Sequence, residues 1–213
     1  MKNLLDEYIS EYASPLPEVF SWLEKETHLR TNHSRMLSGP LQARLLITFS
    51  KMVKPENILE IGTFTGYSAI ALAQGLVRGG HLDTVERNDE LEDLISEGFR
   101  RAGIEEQVAL HLGDAIDIIP TLGKTYDMVY IDGNKRQYCQ YYNLVFDMVR
   151  PGGYILADNV TWSGKVAESP PPGDAQTQEL LRFNRMVKED SRTESFILPL
   201  RDGLSVIRKL YYK

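Results

Sequence analysis

Acidic side chains lie at the ends of five predicted strands in this 213-residue chain, and they are the groups best suited to chemistry. In chain order they are Glu60, Glu86, Asp114, Asp132 and Asp158, the last followed by Asn159. Asp114 taken alone could equally be a helix cap, because Asp, Asn and Ser often occupy that position. Five such strand ends together are harder to explain by capping, and they predict a polar ligand site along one edge of a sheet.

The fourth and fifth strand ends supply hard oxygen donors. Asp132, Asp158 and Asn159 offer carboxylate and amide oxygens without sulfur or imidazole. Mg²⁺ prefers such ligands, and Mn²⁺ or Ca²⁺ would also fit. Lys135 follows Asp132 by three residues. A loop lysine is usually only solvated, but a nearby dication disfavours the protonated amine, so Lys135 could accept a proton. The chemistry indicated is ionisation or orientation of a substrate.

The first strand end carries a glycine-rich turn. Gly62-Thr-Phe-Thr-Gly66 joins the apolar strand 58–61 to a helix, a pattern that is weak by itself. Gly62 permits a tight turn, and the N–H groups that begin the helix face a ligand. Glu60 is a carboxylate within the apolar strand, which is costly unless a ligand, cation or backbone donor pairs with it. Glu86 lies 24 residues after Gly62, close to the spacing of about 20 residues at which an acid binds ribose hydroxyls. A nucleoside-containing cofactor is therefore predicted.

Alternating strands and helices would position these groups. The predicted strands are 58–61, 81–86, 108–112, 126–131 and 153–157, followed by a hairpin at 195–200 and 204–210. The predicted helices are 2–12, 17–30, 41–53, one through 69–73, 89–102, a short one ending at Pro120, 138–148 and 177–187. Residues 160–175 lack periodicity and are expected to form an exposed loop or lid. Such alternation predicts an α/β fold with a parallel sheet covered by helices on both faces.

Composition places the chain among soluble proteins of one domain. Hydrophobic residues make up 42% and charged residues 25%, with a net charge of −6. The expected domain is 1–213, with N-terminal helices at 1–35 and the cofactor-binding and catalytic core at 36–213. Cys139 is the only cysteine, which excludes an intramolecular disulfide and favours a cytoplasmic location. No apolar run reaches the length of about 18 residues that a membrane span needs, so no membrane partner is expected.

With these residues assembled, the chain closely resembles the S-adenosylmethionine-dependent O-methyltransferases of the catechol and caffeoyl-coenzyme A type, including their small bacterial members. The likeness covers roughly residues 33–210. The motifs that carry it are residues 58–69, Gly113-Asp-Ala115, 130–135, Pro151-Gly-Gly153, Ala157-Asp-Asn-Val160 with Trp162 and Gly164, and 199–204. The resemblance implies a Rossmann-like class I methyltransferase fold with a seven-stranded, mostly parallel sheet whose last strand is antiparallel.

The resemblance also implies a role for each site residue. The methionine portion of S-adenosylmethionine would be held by Glu60, Gly62, Thr63 and Ser68, the ribose by Glu86, and the adenine by Asp114 and Ala115. Met36, Ser38, Gly66, Tyr67, Arg87 and Asp132 would complete the cofactor pocket. Asp132, Asp158 and Asn159 would bind the divalent cation. Lys135 would act as general base beside Asp132, taking the proton of an acceptor hydroxyl that attacks the sulfonium methyl. A catechol-like small molecule suits this chemistry best, although residues 1–35 and 161–175 leave its identity open.

Other readings remain open. Some bacterial relatives methylate a hydroxylated nucleoside in tRNA; the acidic chain makes nucleic acid an unexpected partner, but a local basic rim is conceivable, formed by Lys25, Arg30, Arg35, Lys135, Arg136 and Lys165. A nicotinamide dehydrogenase is disfavoured, because the turn lacks Gly-x-Gly-x-x-Gly, and a non-catalytic binding module would not need the full set of site residues. Tyr8, Tyr12, Phe20 and Trp22 could pack in the core, cap the substrate site or form a dimer surface. Core packing is commonest for such residues, while the resemblance favours a homodimer.

Overall fold

A seven-stranded sheet forms the centre of the protein, as seen in a computed structural model that describes residues 4–168 and 173–211. The strands are β1 (Asn57–Ile61), β2 (His81–Glu86), β3 (Val108–Leu112), β4 (Tyr126–Ile131), β5 (Val149–Ala157), β6 (Thr193–Leu198) and β7 (Leu204–Lys209). Their order is β3-β2-β1-β4-β5-β7-β6, and only β7 pairs antiparallel, with β5 and β6. The predicted α/β fold and its antiparallel last strand are confirmed.

Helices cover both faces of this sheet. They are α1 (Leu4–Glu11), α2 (Glu18–Arg30), α3 (Pro40–Val53), α4 (Tyr67–Ala73), α5 (Glu92–Ala102), α6 (Ala115–Ile118), α7 (Tyr138–Phe146) and α8 (Ala175–Glu189). Short 3₁₀ turns occur at Ser34–Met36, Asp89–Leu91, Ile119–Thr121, Lys135–Gln137 and Trp162–Ala167. Side chains alternate across a strand, so Ile58 packs with α2 to α5 on one face, while Leu59 and Ile61 pack with α7 and α8 on the other.

The order of the strands creates a crevice between β1 and β4. The chain runs outward from β1 through β2 to β3, then returns to place β4 on the other side of β1. Loops that leave β1 and β4 therefore diverge in opposite directions, and ligands of open α/β sheets bind at such a point. Gly62 follows β1 and Asp132 follows β4. The topology thus brings the predicted cofactor turn and the first predicted cation ligand to one place.

The start of the fifth strand and the end of the preceding helix were predicted incorrectly. Pro151, Gly152 and Gly153 indicate a turn, but β5 already begins at Val149, and α7 ends at Phe146. Val149 pairs with Tyr126, and the pairing then shifts in register before it resumes at Met128 and Tyr154. The proline and glycines occupy this irregular stretch inside the strand, where such residues are tolerated.

The N-terminal segment divides into a buried helix and an exposed one. Phe20 and Leu23 of α2 are buried, so this helix is part of the hydrophobic core. On α1, Tyr8 and Tyr12 are 57% and 72% exposed and their rings stack at 4.4 Å. Core packing is therefore confirmed for Phe20 and wrong for these two tyrosines. Trp22 is half-buried against the core.

Two further expectations concern a membrane and the loop 160–175. Within the described residues, no helix combines the length and apolar character that crossing a bilayer requires. The loop is partly ordered, because Trp162–Ala167 forms a 3₁₀ turn and α8 already begins at Ala175. Residues 169–172, which include the proline run, lie outside the described residues.

A buried carboxylate joins β2 to β3 and to the start of β4. Asp83 is 1% exposed, its Oδ1 lies 2.9 Å from Nε2 of His111, and its Oδ2 accepts hydrogen bonds from Lys124 and Tyr126 at 2.7 and 3.1 Å. Burial raises the pKa of Asp83, but the bonds from Lys124 and His111 outweigh it, so the pKa lies below its ordinary value. Asp83 therefore stabilises the fold as an anion.

Replacing this anion should destabilise the protein in a pH-dependent way. Asp83→Asn removes the charge that three donors share, and we expect the free energy of unfolding at neutral pH to fall by about 1–3 kcal/mol. Because the folded pKa is lowered, the contribution is fully present above the unfolded pKa and is lost as the pH falls through the folded value, so the difference should narrow below about pH 4. Urea unfolding across pH measures it. Glu105→Gln at an exposed position is the matched control, with an expected change within about 0.5 kcal/mol.

Candidate active site

A cavity of about 800 Å³ opens where the strands β1, β2, β4 and β5 end. Most of the predicted site residues line it: Met36, Ser38, Gly62, Thr63, Tyr67, Ser68, Glu86, Arg87, Asp114, Ala115, Asp132, Lys135, Asp158 and Asn159. Glu60 and Gly66 are the two predicted site residues that do not line the cavity; both are buried behind its wall. The structure thus gathers into one space residues that lie up to 123 positions apart, from Met36 to Asn159.

The turn after β1 touches the end of β4. Gly62 has a φ of +97°, and a Cβ added to it would lie 2.5 Å from the carbonyl oxygen of Asp132. No side chain fits in that space, and a residue with a Cβ would also be strained at this φ. The turn is therefore seated against the Asp132 backbone, with Thr63 and Ser68 facing the cavity.

Glu60 is fully buried with one oxygen unused. Its Oε2 accepts a hydrogen bond of 2.5 Å from Thr84, whose hydroxyl lies 2.5 Å from that of Thr63. Oε1 has no hydrogen-bond partner among the described residues. Burial raises the pKa of Glu60 to about 8, although the Ser68 and Thr84 hydroxyls act against it. A buried carboxyl with an unpaired oxygen costs free energy. Its position behind Thr63 and Ser68 fits a site that receives a positively charged or hydrogen-bonding ligand group.

The acids at the ends of β2 and β3 accept hydrogen bonds from backbone N–H groups, and they also line the cavity. Glu86 Oε2 accepts a 2.7 Å hydrogen bond from the N–H of Phe64, which fixes the turn after β1. Asp114 caps α6 by accepting a 3.0 Å bond from the N–H of Ile116, and its other oxygen lies 3.9 Å from Arg87. The capping reading of Asp114 is confirmed. It does not exclude ligand contact, since Glu86, Arg87 and Asp114 all line the cavity.

Asp132 and Lys135 form an ion pair at the fourth strand end. Lys135 Nζ donates to Asp132 Oδ1 at 2.6 Å and to the Tyr138 hydroxyl at 2.8 Å, and Lys135 is only 8% exposed. Burial raises the pKa of Asp132 to about 6; the charge of Lys135 opposes this shift and the charge of Asp158 adds to it. The Tyr138 hydroxyl in turn donates to the backbone oxygen of Asp158 at 2.8 Å. Lys135 therefore occupies a fixed place between the two predicted cation ligands.

Asp158 is held rigidly, whereas Asn159 is free to bind. Asp158 Oδ1 accepts from the N–H of Asn159 at 2.9 Å, and Oδ2 accepts from Gln42 at 2.6 Å and from Tyr130 at 3.2 Å. Asn159 has a φ of +60°, a left-handed conformation that Asn tolerates. No described residue makes a hydrogen bond to its side-chain amide. The amide thus reaches the cavity with its bonding capacity unused.

This donor set fits a hard divalent cation. In the described part of the chain, no cluster of three or more His, Cys, Asp or Glu side chains could hold a metal. A cation here would have two carboxylates and one amide from the protein, with water or substrate oxygens as the remaining ligands. Mg²⁺ is commonly held by one or two carboxylates in this way.

Four residues that sequence reasoning did not assign to the site support it: Gln42, Tyr130, Tyr138 and Arg201. On α3, Gln42 and Ser50 are buried while the apolar residues Leu41 and Met52 are exposed. A line of polar and apolar residues spaced four apart, Gln42, Leu46 and Ser50, was the available signal. Tyr138 lies three residues after Lys135, one helical turn along.

The helix α2 braces the cofactor turn. The Thr27 hydroxyl donates to the Thr65 hydroxyl at 3.0 Å, and the Tyr67 hydroxyl donates to Glu24 at 2.7 Å. Phe20 packs edge-on against the Tyr67 ring with centroids 4.9 Å apart. Since Tyr67 lines the cavity, α2 contributes to the shape of the site.

Backbone strain is concentrated around the cavity. Six described residues other than glycine have positive φ, and all except Lys54 line the cavity: Phe64, Asn159, Trp162, Ser163 and Arg201. Conformations of this kind persist only where the surrounding structure enforces them, and they cluster at ligand sites. The loops after β1 and β5 and the β6–β7 turn are therefore shaped for the cavity.

Some of the basic residues that could form a rim around the site are paired with acidic side chains. Arg30 pairs with Glu26 and Glu97 at 2.8 and 3.2 Å. Lys135 is buried against Asp132, and Lys165 lies 3.8 Å from Asp174. Half of the six basic residues thus face acidic partners, which weakens the attraction that they could offer to a nucleic acid.

Comparisons with known proteins agree with this geometry. A family model described as O-methyltransferase matches residues 9–210. A catechol O-methyltransferase from Niastella koreensis is 32% identical, covering 94% of this chain and 93% of the relative. A caffeoyl-CoA O-methyltransferase from Stellaria longipes is 29% identical over 97% of this chain and 90% of the relative. The crystal structure of the O-methyltransferase TomG from Streptomyces achromogenes, in complex with SAM, superposes with a TM-score of 0.91 at 29% identity, covering 98% of this chain and 97% of that one.

The contact at Gly62 can be tested with a matched pair of variants. Gly62 and Gly79 have φ of +97° and +81°, but an added Cβ meets the Asp132 backbone at Gly62 and nothing within 4 Å at Gly79. Gly79→Ala should cost only the conformational strain, about 1–2 kcal/mol. Gly62→Ala should cost more and should weaken S-adenosylhomocysteine binding at least tenfold, about 1.4 kcal/mol. Urea unfolding and calorimetric titration measure the two effects, and equal behaviour of the variants would show that the close approach is unimportant.

Proposed function

The chain belongs to the O-methyltransferase family, and we propose that it transfers a methyl group from S-adenosylmethionine to a hydroxyl of a catechol-like small molecule with a divalent cation. Family membership makes the protein an S-adenosylmethionine-dependent O-methyltransferase. The cation and the acceptor are the proposed part.

One observation carries this proposal. Lys135, Asp132, Asp158 and Asn159 line the same cavity as the turn after β1, and Gly62 of that turn is packed against the backbone of Asp132. A site for the methyl donor and a site for an ionisable hydroxyl therefore adjoin. Proximity and alignment of the two reactants account for a large share of catalysis in such displacements.

Side chains that line the cavity or lie directly behind its wall suit the methionine, ribose and adenine parts of the cofactor. Glu60 has an unpaired buried oxygen behind Thr63 and Ser68, and a cationic ligand group would offset the cost of that carboxylate. Glu86 accepts one N–H on each oxygen, from Phe64 and from Asn88, and each carboxylate oxygen has a further lone pair for a ribose hydroxyl. Ala115 is a small buried residue beside Asp114, where a planar base would have room.

Proton removal from the acceptor is assigned to Lys135. When bound, S-adenosylmethionine supplies an electrophilic methyl group, and a dication lowers the pKa of a nearby hydroxyl. Lys135 is held by Asp132 and Tyr138 at 2.6 and 2.8 Å, so its amine points at a defined spot. The amine would act in its neutral form, having released its own extra proton to water, and would then take the proton of the acceptor hydroxyl as this oxygen attacks the methyl group and the sulfonium leaves as a thioether. Tyr138 keeps the amine in place during that change.

The acceptor side of the cavity has aromatic and apolar walls. Trp162, Met36 and Leu37 line it together with the polar groups already described. Such walls suit a flat aromatic ring, and vicinal hydroxyls suit the adjoining acids. The relatives named for catechol and caffeoyl-CoA support an aromatic hydroxyl acceptor. Methylation of a tRNA nucleoside remains the alternative by the same chemistry, but the engaged basic residues do not favour it. A homodimer and a cytoplasmic location remain predictions.

A methyl-transfer screen tests the proposed cation and acceptor together. Catechols, hydroxycinnamoyl thioesters, flavonoids and tRNA are offered with S-adenosylmethionine, with Mg²⁺ or with excess chelator. We expect methylation of a vicinal diol in Mg²⁺ and a loss of at least about 100-fold in chelator, because a cation held by the two acids and Asn159 would lower the pKa of the hydroxyl that Lys135 deprotonates. Abundant turnover in chelator would refute the role of the cation. Turnover restricted to tRNA would replace the acceptor class.

The role of Lys135 is tested by its replacement. Lys135→Ala should lower kcat by about 10²- to 10⁴-fold, the usual contribution of a general base. Affinity for S-adenosylhomocysteine, measured by calorimetry, should change by less than about threefold if the residue acts on the acceptor alone. Arg136→Ala is the control, since Arg136 is exposed on the same 3₁₀ turn. Unchanged turnover in Lys135→Ala would mean that another base, or activation by the cation alone, suffices.

A further inference from the structure

Gln42 is an unexpected residue in the core face of α3. It is fully buried, among Ala43, Leu46 and Ile47. Burying an amide without partners costs several kcal/mol on most scales, and an apolar residue of the same size would be the simpler choice for a core. A residue of this kind is retained where its hydrogen bonds have a task, so its partners indicate what that task is.

The partners of Gln42 lead to the candidate cation site. Its Nε2 donates to Asp158 Oδ2 at 2.6 Å and to the Tyr130 hydroxyl at 2.8 Å. Tyr130 donates to the same Asp158 oxygen at 3.2 Å and is also fully buried. Two donors from two different elements, α3 and β4, thus converge on one carboxylate oxygen. They fix the plane of the carboxylate and leave little freedom for it to rotate.

The orientation of the amide is set from its other end. Gln42 Oε1 accepts a hydrogen bond from Arg201 at 3.2 Å. A guanidinium only donates and a carboxylate only accepts, so an amide placed between them has one possible orientation. The same Arg201 nitrogen donates to the backbone oxygen of Ser38 at 2.6 Å. Ser38 lines the cavity next to the 3₁₀ turn Ser34–Met36. One continuous set of bonds therefore runs from Ser38 to Asp158.

We propose that Gln42 is a positioning residue that fixes the Asp158 carboxylate for a divalent cation. Through Arg201, Gln42 also links this carboxylate to Ser38, in the cavity-lining loop before α3, which we call the cofactor loop. The inference rests on the proposed cation dependence. Residues that orient a ligand from behind typically contribute about 10- to 100-fold to metal affinity. Because Ser38 and Asp158 share the chain of bonds, occupation of the cofactor pocket should also strengthen cation binding.

The test measures Mn²⁺ binding by electron paramagnetic resonance, without acceptor and therefore without turnover. Gln42→Met keeps the length of the side chain but removes both donors, and it should raise the Mn²⁺ Kd by about 10- to 100-fold. Ser50→Ala is the matched control: Ser50 is buried on the same helix and donates to the Leu72 backbone at 2.6 Å, away from the site. It should lower thermal stability without changing the Mn²⁺ Kd. An unchanged Kd in Gln42→Met would overturn the proposal.

A second variant separates positioning from plain electrostatics. Arg201 is exposed, so Arg201→Met should fold even if Gln42→Met does not. Removing a positive charge that acts on Asp132 would by charge alone tighten Mn²⁺ binding. Loss of the bond that orients Gln42 would weaken it instead. A higher Mn²⁺ Kd in Arg201→Met supports the proposal, and a lower or equal value contradicts it.

The link to the cofactor loop has its own measurement. S-adenosylhomocysteine should lower the Mn²⁺ Kd of the wild type, and this ratio should approach one in Gln42→Met, because coupling requires the shared bonds. A wild type that binds Mn²⁺ equally with and without S-adenosylhomocysteine contradicts the link. A wild type that binds no Mn²⁺ under either condition would overturn the proposed cation dependence itself. A wild type and a Gln42→Met variant that bind Mn²⁺ with the same Kd would overturn only the role of Gln42.

Discussion

The close contact between Gly62 and the backbone of Asp132 joins the two halves of the cavity. One half comes from β1 to β3 and carries the residues predicted for the cofactor, while the other comes from β4 and β5 and carries the candidate cation ligands and Lys135. The sheet grows in opposite directions from β1 and β4, so the loops that follow these two strands diverge and can enclose a ligand between them. A side chain at Gly62 would push the halves apart.

Several acidic side chains lie at the same edge of the sheet, and the partners of their oxygens indicate which kind of ligand would bind there. Burial, and to a smaller extent neighbouring acids, raise the pKa of Glu60 and of Asp132, so a negative charge on either group is costly. Hydroxyls, one amide and one lysine satisfy most of their oxygens. Among the described residues, the groups of this edge without a hydrogen-bond partner are one Glu60 oxygen behind the cofactor turn, the Oδ2 of Asp132 and the side-chain amide of Asn159. Positive groups would relieve both ends, one at the cofactor turn and one at the cation ligands.

Sequence reasoning recovered the fold because the signals involved are local. Apolar runs, glycines and prolines mark β1 to β4 within about a residue, and the topology follows from alternation. It placed the start of β5 four residues too late, at Gly153 instead of Val149, because proline and glycine are unusual inside a strand and only the pairing of Val149 with Tyr126 shows where this strand begins. The acids of the site were identifiable because the ends of parallel strands meet at one edge. Gln42, Tyr138 and Arg201 were not, because their roles depend on which groups lie opposite them in space.

Distant parts of the chain supply the support that the strand ends lack. Each acid sits on a short loop, and a loop alone would not hold a carboxylate within the tolerance that catalysis needs. Here α2 holds the cofactor turn through Thr27 and Glu24, α3 holds Asp158 through Gln42, and the β6–β7 turn holds α3 and Ser38 through Arg201. The helix α2, which does not line the cavity, and the β6–β7 turn, which lines it through Arg201, thereby both support the site. The loop at Trp162 and Ser163, where both residues have positive φ, lines the same cavity, so it is a further element whose enforced conformation shapes the site.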